Sequence, residues 1–147
     1  MTAEPIQILL AEDDEGHASL IKRNLQRIGI INQVIHVRDG QEVLDFLDCK
    51  NNFTSRKPIH PLLLLLDINM PRVSGVDVLR HVKADPRTAK LPVIMLTTTD
   101  DPREVARCYE LGCSSYVTKP VQYEAFVDAL QRLGMFLAIV KVPNEPV

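Results

Sequence analysis

The sequence predicts an α/β fold: a doubly wound parallel sheet of five strands with helices on both faces. Three features of the 147 residues carry this expectation. Strand-like apolar runs alternate with helix-like stretches along the chain. Five consecutive leucines at 62–66 suit a strand covered on both faces, as in a parallel sheet. Two apolar runs, IQILLAEDD at 6–14 and LLLLLDINMP at 62–71, end on acids.

Each element follows from its own pattern. Residues 6–12 read as the first strand. Over 15–28, Ala18, Ile21, Leu25 and Ile28 fall on one face of a helix, which Gly29 stops. QVIHV at 33–37 alternates as a second strand. Asp39-Gly40 is a turn signal, and Val43, Leu44 and Leu47 mark a helix over 41–48. KNNFTSRKPIHP at 50–61 is polar, proline-punctuated and longer than most connections, so it reads as an exposed loop. The third strand is 62–66, followed by a helix at 75–84 that ends before Asp85-Pro86. PVIMLT at 92–97 is the fourth strand. The fourth helix, 102–111, has Pro102 in its first turn and Gly112 just past its end. SSYVT at 114–118 is the fifth strand, and the fifth helix runs from about 122 to 139.

Right-handed crossovers leave few topologies for this alternation. The flavodoxin-like order 2-1-3-4-5 puts strands one and three at the switch point, where open α/β sheets bind ligands. Glu12, Asp13 and Asp67 then meet in one crevice.

Composition narrows the setting. A hydrophobic fraction of 46% supports one sizeable core, and a single domain over 1–147 without an output module is expected. A formal net charge of -2, with no basic block, gives no pull towards nucleic acid or anionic membrane. The N-terminus MTAEPIQ lacks a signal-peptide layout, and no apolar run approaches the ~20 residues that span a bilayer. Cys49, Cys108 and Cys113 lack zinc spacing and read as reduced thiols of a cytoplasmic protein. His17, His36, His60 and His81 are scattered and read as surface or packing residues.

Three carboxylates in one crevice repel: two unit charges 4 Å apart cost ~4 kcal/mol at an effective dielectric of 20. A cation resolves this, and oxygen donors without His or Cys favour magnesium over zinc. Asp13 and Asp67 can each give an oxygen, and the backbone carbonyl of Asn69 another, while Glu12 has the longer arm and can act through water. At the end of strand four, the Thr97 hydroxyl can donate to an anionic oxygen. Lys119, after strand five, can pair with carboxylate or phosphate, and Pro120 allows a cis bond that would fix its direction. Such a set suits in-line phosphoryl transfer, with Asp67 as the nucleophile forming an acyl phosphate.

These residues together resemble a response-regulator receiver domain. The resemblance is carried by Glu12-Asp13 after strand one, Asp67 in LLLLLDINMP, Thr97 in PVIMLTTT and Lys119-Pro120 after SSYVT, and covers about residues 6–139. It implies that Asp67 accepts phosphate from a histidine kinase, and that Asp13, Asp67 and the Asn69 carbonyl bind magnesium. It further implies that Thr97 and Tyr116 rearrange as the switch. The long loop before strand three and the IMLTTT strand also resemble small regulators paired with bacterial phytochromes. The implied function is a signalling switch rather than an enzyme.

Other readings stand beside this one. Asp14 reads as a solvated acid, and Tyr116 taken alone is a half-buried strand aromatic. A phosphatase with an aspartate nucleophile would need a second acid two residues on, where this chain has Asn69. A flavin carrier would want hydroxyl and glycine residues after strand one, where three acids would repel the cofactor phosphate. In the fifth helix, LGMFLAIV at 133–140 has no charge, and Phe126, Leu130, Leu133, Leu137 and Val140 follow a coiled-coil-like spacing. Either the tail covers this face or the chain forms a homodimer through helix five.

Overall fold

The computed structural model describes residues 7–28, 34–54, 62–98 and 101–132. The five strands are β1 (Gln7–Ala11), β2 (Val34–Val37), β3 (Leu62–Asp67), β4 (Val93–Thr97) and β5 (Ser115–Thr118). They form one sheet in the order β2-β1-β3-β4-β5, and every neighbouring pair is parallel. Between them lie α1 (Glu15–Ile28), α2 (Gly40–Asp48), α3 (Gly75–Ala84) and α4 (Pro102–Leu111), and α5 (Tyr123–Arg132) follows β5. The expected order and alternation are both present.

The leucine run divides between two cores. Leu62, Leu64 and Leu66 pack with α2, α3 and the buried Cys108 of α4. Leu63 and Leu65 point to the other face, against Ala18, Ile21 and Leu25 of α1 and Phe126 and Ala129 of α5. All five leucines are buried because side chains alternate along a strand whose two faces are both covered.

Helix boundaries follow local chemistry. Asp39 caps α2, its side chain accepting from the Glu42 amide, and Ser74 caps α3 by accepting from that of Asp77. Gly112, at φ 105°, ends α4 in the left-handed conformation that glycine adopts without penalty. Asp14 is more than a solvated acid: its Oδ1 accepts from the His17 amide at 2.9 Å and caps the first turn of α1.

Differences from expectation sit at the edges. β3 includes Asp67, one residue beyond the leucines. The polar loop after α2 contains a short 3-10 turn, Asn51–Phe53, where the Phe53 ring meets the edge of Phe46 with centroids 5.2 Å apart. A three-residue turn leaves no periodicity to read. Phe126, first in the coiled-coil-like spacing, is fully buried in the core. The 133–140 stretch lies outside the described residues.

Candidate acidic pocket

Strand register brings the site together. Ala11 pairs with Leu66, Asp67 with Leu96, and Thr97 with Thr118, so the carboxyl ends of four strands lie level. The backbone ladder continues one step past those ends. Glu12 N–H donates to the Val37 carbonyl at 3.0 Å, Ile68 N–H to Leu96 at 3.0 Å and Lys119 N–H to Thr97 at 2.6 Å. The side chains of Glu12, Asp67 and Lys119 are therefore aimed by sheet backbone rather than by free loops.

Glu12, Asp13 and Asp67 each bring a carboxylate oxygen into one group, all within 4.8 Å of one another. Asp67 is 2% exposed and Glu12 fully buried, while Asp13 faces solvent. Lys119 enters from β5, its Nζ 2.8 Å from Glu12 Oε1 and 3.2 Å from Asp67 Oδ1. The Lys119-Pro120 bond is cis. Asn69 N–H donates to Asp67 Oδ1 at 3.3 Å, and Thr97 is buried at the end of β4, its carbonyl accepting from Lys119 N–H.

The electrostatics follow from burial. Removal from water pushes the Asp67 carboxyl up to about 7, and the charge of Glu12 adds to the effect while Lys119 opposes it. Burial works against the Lys119 ammonium, but its hydrogen bond to Glu12 and the charge of Asp67 outweigh burial and raise its pKa. With all three carboxylates ionised, the Lys119 ammonium leaves two negative charges in excess, the charge of one divalent ion. Oxygen donors open to solvent on the Asp13 side fit a hard divalent cation.

Two histidines that the sequence marked only as surface or packing residues border the pocket. His36 on β2 places Nε2 2.7 Å from the Glu12 carbonyl and Nδ1 3.4 Å from Lys22 Nζ. A carbonyl accepts and an ammonium donates, so in this network Nε2 is the donor and Nδ1 the acceptor. His17 on α1 sets Nδ1 4.0 Å from Glu12 Oε1. No spacing in the sequence joins these rings to Glu12; the fold does. All three cysteines are free; Cys108 and Cys113 are buried, and burial pushes the Cys113 thiol up to about 12. Tyr116 is half-buried on β5.

Among the described residues, no helix is long and apolar enough to cross a membrane.

Comparison with known proteins agrees with this fold. Residues 8–131 match the response regulator receiver domain family. The chain is 31% identical over 140 residues to the response regulator Rcp1 of Synechocystis, covering 95% of this chain and 94% of that protein. The bacteriophytochrome response regulator RtBRR superposes with a TM-score of 0.83 at 39% identity, over 100% of this chain and 85% of its own. A second bacteriophytochrome response regulator, AtBRR, gives 0.81 at 35% identity, over 97% and 99%. Rcp1 has also been solved in a Mn(2+)-bound form, which superposes with a TM-score of 0.78 at 29% identity, over 95% and 99%.

Proposed function

The chain belongs to the response regulator receiver domain family, and from that premise we propose that it is a two-component signalling switch phosphorylated on Asp67 by a histidine kinase. The observation that carries this is the clustering of Asp67 with Glu12, Asp13 and Lys119 at the level ends of the strands.

A carboxylate oxygen of Asp67 attacks the phosphorus of a phosphohistidine. The P–O bond forms as the P–N bond breaks, and the imidazole leaves on the kinase. Lys119 holds Asp67 in place and balances charge on the phosphoryl oxygens. Asp13, Asp67 and the Asn69 carbonyl would hold magnesium, with Glu12 reaching it through water. That ion would supply a second cation for the charge developing on the phosphoryl group. The Thr97 hydroxyl then donates to the new anionic oxygens, and Tyr116 follows it as the second part of the switch. The phosphorylated side chain carries about -1.5 to -2 charge, as on phosphorylated hydroxyl residues, in place of the single charge of the carboxylate.

The resemblance to bacteriophytochrome response regulators makes a bacteriophytochrome the proposed source of the phosphoryl group. The signal then leaves by protein contact or phosphorelay in the cytoplasm, without nucleic acid, membrane attachment or catalytic turnover. Homodimerisation through helix five is the proposed role of the apolar 133–140 segment; sedimentation that showed only monomer at high protein concentration would remove it.

The direct test is incubation with acetyl phosphate and magnesium, read by intact mass. Wild type gains one phosphoryl group, and Asp67→Asn gains none. Labelling of the variant would move the acceptor elsewhere, and an unlabelled wild type would defeat the reading.

A further inference from the structure

We infer that Arg72 and Asp39 form a positioning pair that holds the loop after Asp67 in the conformation that binds the metal. The inference rests on the reading of the pocket given above. It makes the magnesium affinity of the site depend on an ion pair at the N-terminus of α2.

A backbone carbonyl such as that of Asn69 has no rotamer to adjust. Its position is set by the dihedral angles of the loop alone, so whatever fixes the loop fixes that ligand. The loop leaves β3 with Ile68 N–H bonded to the Leu96 carbonyl, and α3 begins with Gly75 N–H bonded to Ile68 O at 2.8 Å. Between these anchors Asn69 N–H donates to Asp67 Oδ1, Met70 is buried in the core, and the loop also meets the start of α2. Gly40 N–H donates to the Pro71 carbonyl at 3.4 Å, which also accepts from Val73 N–H at 2.9 Å. Arg72 Nη1 lies 3.3 Å from Asp39 Oδ2. The other oxygen of Asp39, Oδ1, caps α2 by accepting from Glu42 N–H at 2.8 Å.

Two features show that this junction is constrained. Arg72 has φ 70°, a left-handed conformation that disfavours a residue with a Cβ, so its surroundings impose it. At Gly40 a Cβ would stand 1.9 Å from the Val73 carbonyl oxygen, so loop and helix are in backbone contact. The Asp39 side chain is 13% exposed and the Arg72 side chain 59%, so the ion pair is shielded from solvent on the Asp39 side only. Arg72 touches neither the acids nor the phosphoryl position; it acts through the loop.

The test uses the full chain and three variants. Arg72→Gly keeps a backbone that accepts φ 70° and deletes the pair. Asp39→Asn keeps an equally good cap and deletes the charge. Arg72→Lys keeps a cation able to reach one oxygen. Magnesium affinity is measured by calorimetry without a phosphodonor, alongside the magnesium dependence of acetyl phosphate labelling. Arg72→Gly and Asp39→Asn should raise the magnesium Kd about three- to fivefold, the scale of a partly shielded ion pair, and Arg72→Lys should stay near wild type. Labelling at saturating magnesium should stay near the wild-type rate in all three. An unchanged Kd in Arg72→Gly and Asp39→Asn would overturn the inference, as would slower labelling at saturating magnesium with no change in Kd. A wild-type chain that neither binds magnesium nor accepts phosphate would instead defeat the function proposed above.

Discussion

At Asp67, burial and the charge of Glu12 act in the same direction, and Lys119 corrects them only in part. The consequence is a pH dependence of opposite sign to that of an ordinary paired carboxylate. The folded carboxyl is raised to about 7 from an ordinary 3.8, so the folded chain binds this proton more tightly than the unfolded one. Its contribution to stability is complete below pH 3.8 and is lost as the pH rises through about 7. In chelator, the stability of wild type relative to Asp67→Asn should therefore fall between those two values. At pH 8 the variant should be the more stable by on the order of 1–3 kcal/mol, read from urea midpoints. Magnesium should shrink this gap by stabilising wild type alone. A difference that did not change with pH would contradict the raised carboxyl. Lys119→Ala tests the other side of the balance. It leaves Glu12, fully buried, without its ion pair, and should cost about 3–5 kcal/mol in chelator.

At the scale of elements, the turn from β3 into α3 separates packing from capping. Gly75 sits so close to the strand end that a Cβ would stand 2.1 Å from the Asp67 carbonyl oxygen. Gly75→Ala must push that backbone aside, and should cost about 1–3 kcal/mol while slowing acetyl phosphate labelling at Asp67. Its neighbour Ser74 caps the helix, accepting the hydrogen bond from Asp77 N–H at 3.3 Å. Ser74→Ala should cost about 1 kcal/mol and leave labelling unchanged. Equal effects of the two substitutions on labelling would mean that the strand end is not what Gly75 protects. The clamp of Arg87 on Asp48 and Asp85 ties the end of α2 to the loop after α3, at 2.9 and 2.8 Å. Its atoms are exposed, so a small effect is expected there.

For the whole molecule, β3 is the wall shared by two cores. Leu64 belongs to one and Leu65 to the other, and both are fully buried. Leu64→Ala and Leu65→Ala should each lower stability by about 2–5 kcal/mol. Because one strand carries both faces, each variant should still unfold in a single transition, seen alike by far-UV circular dichroism and tyrosine fluorescence. Separate transitions in the two probes would show that the faces are independent.

What could be read from the chain alone was whatever one segment carries by itself. The leucine run, the helical spacings, Pro102 with Gly112, and the acids closing two strands are patterns of neighbouring residues. The strand order was legible because few right-handed connections can join such elements. Tertiary structure alone decided the rest. The Lys119–Glu12 pair spans 107 positions, His36 meets the Glu12 carbonyl across 24, and Arg72 meets Asp39 across 33. No periodicity links residues so far apart, and hydrogen bonds and ion pairs need atoms within a few ångströms. The raised carboxyl at Asp67 belongs to the same class: the sequence supplies the acid, but only the packed sheet removes its water.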